Sequence, residues 1–268
     1  MTARVLPMEH EGRHFVGMLA VPDDREPRQS WLFLSPFGQE AIRTAPMYRS
    51  LADRLVRAGC ATLRFDYHGT GDSAGDIGDQ SLDDWVGDAC HAIALLRASS
   101  GVSRTTLFGV GLGATIAALA AAKEPAGVAT LLLWEPVIDG PQYLAALVSS
   151  HRREVARGFD LSWGEVRSKF DEPEPAAPGN LVGFDVGPQL AEQIGSTTKL
   201  PLLELANRGI RTVLASREEG AGYVMESHAM VEWVPIQTST DWMTNEALGS
   251  ALVPTQLIAL VDQLVLPS

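Results

Sequence analysis

Residues 105–115, TTLFGVGLGAT, have the pattern of a strand, a tight glycine turn and a helix. A serine nucleophile on such a turn sits at the centre of G-x-S-x-G, where the sharp bend exposes its hydroxyl group. Here the central residue is Gly111, between Gly109 and Gly113, and it has no side chain. The segment therefore predicts a catalytic scaffold that lacks its usual nucleophile.

The same glycines can also be compared with the G-x-G-x-x-G turn that binds the phosphates of a dinucleotide. The spacing does not match, because Gly109, Gly111 and Gly113 are evenly spaced and residue 114 is alanine. The strand before them is also not the first strand of the domain, as the fingerprint requires. We therefore predict no bound cofactor and no metal.

Three carboxylates follow predicted strands and are candidates for a general base. Glu40 comes shortly after the strand at 31–34, Glu135 directly follows the strand at 128–134, and Asp241 lies after the strand at 231–236. Burial in a partly dry pocket raises the pKa of a carboxyl group toward neutrality, where it accepts protons efficiently. Glu40 and Asp241 are the first choices, although Glu40 would serve equally well as a helix-capping carboxylate.

Two further side chains follow the strand at 61–65 and could donate a proton or a hydrogen bond to a substrate. These are Tyr67 and His68, at the start of a turn rich in Gly and Asp. The acidic and hydroxyl side chains later in that turn are typical of residues that bond to nearby backbone.

Buried apolar runs alternate with helical periodicity along most of the chain. They lie at 31–34, 61–65, 105–108, 128–134, 211–215 and 231–236, after a hairpin within 5–21 and before a closing helix at 254–266. Such alternation predicts an α/β fold with a doubly wound, mostly parallel sheet, whose ligands bind at the carboxyl ends of the strands. These are the ends at which the candidate residues lie.

The alternation stops after the strand that ends near Trp134. Residues 138–205 contain helical stretches such as 143–157 and a proline-rich segment at 171–178, but no clear strand pattern. We interpret this insertion as a helical cap over the strand ends. The predicted core domain then consists of residues 1–137 and 206–268.

Composition restricts the partners and the compartment. The net charge of −12 and the pI near 4.9 disfavour nucleic acid, whose phosphates would be repelled. The sequence has no apolar run long enough to span a membrane, and its first residues lack the apolar centre of a signal peptide. Cys60 and Cys90 have no disulfide or metal-binding spacing, so we expect a reducing cytoplasm. The sequence leaves the oligomeric state open.

Four motifs together resemble the α/β-hydrolase superfamily, and in particular bacterial serine-aminopeptidase-like hydrolases, including those associated with exosortase systems. The motifs are SPFGQE at 35–40, RFDYHGTGDSAGD at 64–76, GVGLG at 109–113 and LLLWEPV at 131–137. The resemblance extends from about Trp31 to the C-terminus and is weakest in the cap. It implies an elbow serine that attacks an acyl carbon, a histidine that takes its proton, and an acid that orients the histidine.

The resemblance also shows which residue stands at each of those positions. The nucleophile position is Gly111, and the histidine position falls within 237–242, QTSTDW, which contains no histidine. His228 precedes the last predicted strand instead of following it. The acid position is Glu218 or Glu219, or Glu135 if the acid follows the earlier strand. We therefore expect two of the three triad members to be missing.

The oxyanion hole implied by the resemblance uses backbone and not side chains. Its donors would be the N–H groups of Leu112 and Phe37, with Gly111 leaving space for substrate and Trp242 lining the pocket. These expectations favour acid–base chemistry on a small acylated or ester-bearing metabolite, either by elimination of a carboxylate or by direct attack of water. Natural-product tailoring is a setting suggested by analogy.

Two other functions stay open from the sequence. One is a catalytically silent binding or regulatory protein of the same fold. The other is a conventional esterase or thioesterase with a displaced nucleophile such as Ser35 or Ser73.

A serine-directed fluorophosphonate probe tests the first prediction. Because Gly111 has no hydroxyl group, we expect no covalent labelling when the protein is incubated with the probe and analysed by intact mass spectrometry. Stoichiometric labelling would show a displaced serine nucleophile and would exclude both the acid–base enzyme and the silent binding protein.

Overall fold

Eight strands form one sheet in the part of the chain that the computed structural model describes, residues 2–217, 228–237 and 253–265. The strands are β1 (Thr2–His10), β2 (Arg13–Val21), β3 (Gln29–Leu34), β4 (Cys60–Asp66), β5 (Thr105–Val110), β6 (Val128–Trp134), β9 (Arg211–Ser216) and β10 (Val231–Pro235). Their order is β1-β2-β4-β3-β5-β6-β9-β10. The first two pairings are antiparallel and the others are parallel, which confirms the predicted mostly parallel sheet.

Helices cover both faces of this sheet. On one face lie α1 (Gly38–Arg57) and α8 (Thr255–Val265), and on the other lie α2 (Leu82–Ser100) and α3 (Leu112–Lys123). Alternate residues of β3 serve the two faces: Trp31 and Phe33 pack toward α1 and α8, whereas Leu32 and Leu34 pack toward α2 and α3. Burial on both faces explains why the central strands read as unbroken apolar runs.

Local sequence signals fix the ends of α2. The Ser81 hydroxyl accepts a hydrogen bond from the backbone N–H of Asp84, and the Asp84 carboxylate accepts one from the N–H of Ser81. This reciprocal capping box is the sequence signal that starts the helix at Leu82. At the other end, Gly101 takes the left-handed conformation with φ of 72°, which a glycine adopts without strain.

Between β6 and β9 lie α4 (Gly140–Gly158), α5 (Trp163–Phe170), β7 (Gly179–Leu181), β8 (Phe184–Val186), α6 (Pro188–Ser196) and α7 (Leu202–Asn207). The β7–β8 hairpin corrects the expectation that this region has no strand. Its two-residue turn has φ of 55° at Val182 and 86° at Gly183, as in a type I′ turn. Sequence rules missed it because valine is an uncommon residue at such a position and each strand is only three residues long.

In the described part of the chain, the structure contains no helix that is both long and apolar enough to cross a membrane.

Tyr48 of α1 joins the ends of the two central strands. Its hydroxyl donates to the carbonyl oxygen of Leu34 at 2.9 Å and accepts from the backbone N–H of Val110 at 3.1 Å. The ring is 3% exposed, and burial raises the pKa of the hydroxyl far above its usual value, so it stays protonated. Tyr48 therefore satisfies two buried backbone groups at the carboxyl ends of β3 and β5.

We expect Tyr48→Phe to lower the free energy of unfolding by about 2–4 kcal/mol, because two buried backbone groups lose their partner at about 1–3 kcal/mol each. Urea denaturation measures the change. Tyr67→Phe is the matched control, since the Tyr67 hydroxyl is buried and has no hydrogen-bond partner among the described residues. That control should change stability by less than about 0.5 kcal/mol. Equal losses in the two variants would contradict the role assigned to Tyr48.

Candidate active site

The turn between β5 and α3 is built from glycines for steric reasons. A Cβ added to Gly109 would lie 2.4 Å from the carbonyl carbon of Gly113, and one added to Gly113 would lie 2.2 Å from the carbonyl oxygen of Leu34. Gly111 itself has φ of 55° and ψ of −126°, and its N–H donates to the Trp134 carbonyl oxygen at 2.9 Å. The three glycines therefore allow a sharp elbow in direct backbone contact with the loop after β3.

The two predicted oxyanion donors are the backbone N–H groups of Leu112, on this elbow, and of Phe37, in the loop after β3. Leu112 is the first residue of α3, so its N–H has no carbonyl one turn earlier in the helix to bond with. Phe37 precedes α1 in an extended conformation, and its ring packs against Trp85 and Phe184 at centroid distances of 6.1 and 6.0 Å. The packing of that ring fixes the loop that carries the second predicted donor, and β3 and β5 are adjacent in the sheet.

Glu40 lies directly over the elbow. It is in the first turn of α1, and its Oε2 atom is 3.0 Å from the position that a Cβ on Gly111 would occupy. The carboxylate thus stands where a side chain at the elbow would extend. Of the predicted base candidates, Glu40 is the one whose carboxylate the described structure brings to the elbow.

Tyr143 contacts the same carboxylate from the other side. It lies in the first turn of α4, and its hydroxyl donates to Glu40 Oε2 at 3.5 Å. Burial, and then the charge of Glu40, raise the pKa of the Tyr143 hydroxyl well above its usual value. The hydroxyl therefore remains a proton donor at neutral pH.

Glu135 has a different set of contacts. It has φ of 46°, its N–H donates to the Ala215 carbonyl oxygen at 2.9 Å, and its Oε1 accepts from the backbone N–H of Arg217 at 2.8 Å. These bonds connect the ends of β6 and β9. They account for Glu135 as a link between strands, and its predicted catalytic role stays a prediction.

Tyr67 and His68 have their contacts with α2 and the β1–β2 hairpin. Tyr67 is 2% exposed and stacks on Trp85 at 5.4 Å. His68 donates its backbone N–H to Asp88 Oδ2 at 3.0 Å, and its ring Nδ1 is 2.9 Å from the carbonyl oxygen of His14. None of these contacts involves the elbow, so contact of either side chain with substrate stays a prediction.

Several predicted residues lie outside the described part of the chain. These are Asp241, Trp242, Glu218 and Glu219. His228 is described, and its Nδ1 accepts from the backbone N–H of Met230 at 3.1 Å in the turn before β10. Among the described residues, no three side chains of His, Cys, Asp or Glu converge as metal ligands.

The displaced nucleophiles can also be located. The Ser73 hydroxyl donates to the Asp66 carbonyl oxygen at 2.7 Å and accepts from the Val16 N–H at 3.0 Å, as expected for a residue that fixes a turn. Ser35 lies in the loop after β3 and borders a cleft on the α1 face of the sheet.

Sequence reasoning missed Tyr143. It lies within a helix that periodicity predicts, but 103 residues separate it from Glu40. Amphipathic patterning indicates which face of a helix is buried and does not indicate which distant carboxylate it meets. No signal in the sequence singled out this tyrosine.

Comparison with known families matches residues 41–172 to the serine aminopeptidase, S33, model. The matched segment includes the elbow and the start of the insertion after β6. No curated protein sequence matches the chain significantly.

Solved structures match nearly the whole chain at low sequence identity. Est1E from Butyrivibrio proteoclasticus, solved with ferulic acid, is 15% identical with a TM-score of 0.57, covering 97% of this chain and 100% of its own. The thioesterase domain from the curacin biosynthetic pathway is 13% identical with a TM-score of 0.55, covering 99% and 100%. DcsB in complex with its substrate analogue is 14% identical with a TM-score of 0.62, covering 98% and 97%. At these identities the likeness establishes the fold.

A double-mutant cycle tests the contact between the elbow and Glu40. Gly111→Ala should destabilise the protein by about 1–3 kcal/mol, because φ of 55° is strained for alanine and its Cβ would press on Glu40 Oε2. Adding Glu40→Ala removes the contact with Oε2 and leaves the backbone strain at residue 111. We therefore expect a coupling of about 0.5–2 kcal/mol by urea denaturation, and strictly additive effects would contradict the contact.

Proposed function

We propose that this chain, which has the α/β-hydrolase fold and matches the serine aminopeptidase, S33, model over residues 41–172, hydrolyses an ester or thioester of a small acylated metabolite, with Glu40 as the general base for direct attack by water. The observation that carries the proposal is the distance of 3.0 Å between Glu40 Oε2 and the position of a Cβ on Gly111. A base at this position replaces both the nucleophile and the histidine of a triad, because it activates water instead of a serine hydroxyl group.

The proposed reaction begins with water at the place that a serine hydroxymethyl group would fill. Glu40 takes one proton from this water as its oxygen bonds to the acyl carbon, and the carbonyl oxygen becomes an oxyanion. The tetrahedral intermediate then collapses, the bond to the leaving group breaks, and Glu40 returns the proton to the leaving atom. The products are a carboxylic acid and an alcohol or thiol, and no covalent bond to the protein forms.

The backbone N–H groups of Leu112 and Phe37 are the proposed donors to the oxyanion. Leu112 N–H lies at the N-terminus of α3, where the helix dipole also favours negative charge. Losing one such donor typically costs about 3 kcal/mol of transition-state stabilisation. Direct attack by water benefits from the hole as much as attack by serine does, since both build charge on the same oxygen.

Tyr143 supports this chemistry as a hydrogen-bond donor to Glu40 that does not take up the proton of the attacking water. Its hydroxyl bonds to Glu40 Oε2 at 3.5 Å, which orients the carboxylate between the core and α4. Because its pKa is raised well above 10, the hydroxyl holds its proton while Glu40 cycles between charged and neutral forms. In the proposed reaction Tyr143 orients the base.

The proposed acyl chain lies beside this pair, against apolar residues of the loop after β3 and of the β7–β8 hairpin. A small cleft there is lined by Phe37, Gly38, Leu147, Leu181 and Phe184. The Phe184 ring is 3.4 Å from the position of a Cβ on Gly38, so the hairpin packs closely on the predicted oxyanion loop. The cleft has a volume of only about 10 Å³ in this structure, so an acyl group enters only if the hairpin and the loop separate. Asp241 remains the alternative general base in this proposal. Elimination of a carboxylate, the alternative reaction, would use Glu40 as the base and the same oxyanion hole.

Glu40→Gln tests the proposal. The amide cannot accept the proton, so we expect hydrolysis of p-nitrophenyl butyrate and of butyryl-N-acetylcysteamine to fall by a factor of about 100 or more in kcat. Glu192→Gln, on the exposed side of α6, is the matched control and should keep the rate of the unaltered protein. Equal rates for the two variants would exclude Glu40 as the base.

The route of attack is checked by single-turnover hydrolysis in water enriched in oxygen-18. Direct attack places the label in the carboxylic acid product and none in the protein. Label found in Glu40 by peptide mass spectrometry would instead indicate a covalent acyl–glutamate intermediate. If neither ester is converted but an acylated metabolite raises the melting temperature, the silent binding protein is the better description.

A further inference from the structure

A second cleft lies on the α1 face of the sheet, at the edge formed by β1, β2 and β4. Its volume is about 460 Å3, within the usual range for sites that bind small molecules. Val5, Met18 and Arg64 form part of its floor, and Tyr48 and Arg49 of α1 form one wall. The cleft is separate from the Glu40 site, whose residues do not line it.

The floor is a cross-strand row set by the register of the sheet. Val5 of β1 pairs with Met18 of β2, and Met18 pairs with Arg64 of β4. Side chains that are paired across neighbouring strands lie on the same face, so the row passes from apolar side chains to a guanidinium. Val5 is 58% exposed, which leaves the apolar end of the row open.

Two arginines, Arg49 and Arg64, line the cleft at the other end, and the charge of the first acts on the second. Arg64 is half-buried, and burial, followed by the positive charge of Arg49, lowers the pKa of its guanidinium. Within residues 2–217, 228–237 and 253–265, neither arginine has a salt bridge to a carboxylate within 4.0 Å. A guanidinium that is partly withdrawn from water and lies near a second positive charge gains from a bound anion.

Three carboxylates lie near these arginines and reduce the net positive charge around the cleft, but they form no salt bridge with either arginine. Asp53 lies on α1, Asp66 is the last residue of β4, and Asp72 lies in the turn that follows it; Asp66 and Asp72 line the cleft. Asp66 Oδ2 already accepts from the backbone N–H of Asp72 at 3.0 Å, and burial raises the pKa of the Asp66 carboxyl. The hydrogen-bonding capacity of the two guanidinium groups is therefore available to a ligand.

We propose that this cleft binds a small molecule with an anionic head group, a carboxylate or a phosphate, and an apolar chain. The head group bonds to Arg49 and Arg64, and the chain lies along Met18 and Val5. This site is independent of hydrolysis at Glu40.

Calorimetric titration with octanoate and with octyl phosphate tests the proposal and shows which head group is preferred. Both probes should bind more tightly than octan-1-ol, which lacks the charge, and than inorganic phosphate, which lacks the chain. Arg64→Gln and Arg49→Gln should each weaken binding by about tenfold or more, because a charge-assisted hydrogen bond is lost. Arg57→Gln, at the exposed end of α1 and outside the cleft, is the matched control and should not change the affinity.

Three results would overturn the proposal. One is unchanged affinity of the charged probes in Arg49→Gln, a change on the exposed side of α1 that the fold should tolerate. Another is equal affinity for octanoate and octan-1-ol, since this would assign binding to the chain alone. The third is loss of binding in Glu40→Gln, which would place the probe at the elbow, whereas retained binding in that variant supports the separate cleft.

Discussion

The site depends on a backbone-to-backbone contact that only glycine permits. Gly113 packs so closely on the loop after β3 that a Cβ would lie 2.2 Å from the Leu34 carbonyl oxygen. This contact holds the start of α3 against the segment that leads into α1. Since α1 begins at Gly38, this close packing also places Glu40 next to the elbow. Tyr48 holds α1 in this position, because its hydroxyl bonds to the ends of both β3 and β5. The placement of the base therefore follows from the packing of a turn.

A carboxylate beside the proposed oxyanion hole raises an electrostatic problem, because two negative charges at such close range repel strongly in a partly buried site. General-base catalysis avoids it. In the proposed reaction, Glu40 gains a proton and becomes neutral as the oxyanion forms on substrate, so the site carries one negative charge throughout. The N-terminus of α3 favours that charge, and the neutral hydroxyl of Tyr143 adds a donor without adding a charge.

The sequence predicted the core well because its strands are buried on both faces and read as apolar runs; β6 was predicted with the bounds that the structure has. Glu40 was a candidate since loops after strands carry function in this architecture. Tyr143 and the β7–β8 hairpin were not predicted. Their positions depend on contacts between distant segments and on a positive φ at Val182, and neither leaves a periodic signal.

The insertion between β6 and β9 also positions a residue that contacts Glu40. Gly140, at the start of α4, packs on α6 so closely that a Cβ would lie 1.6 Å from the Ile194 carbonyl oxygen, and its N–H donates to the Thr197 carbonyl oxygen at 2.8 Å. Tyr143 lies one turn later and is held by this contact. Glu40 is thus held by its own helix, α1, and by the hydrogen bond from Tyr143 of α4. In the proposed reaction, a substrate that shifts α4 would change the hydrogen bond from Tyr143 to Glu40 and thereby the readiness of Glu40 to accept a proton.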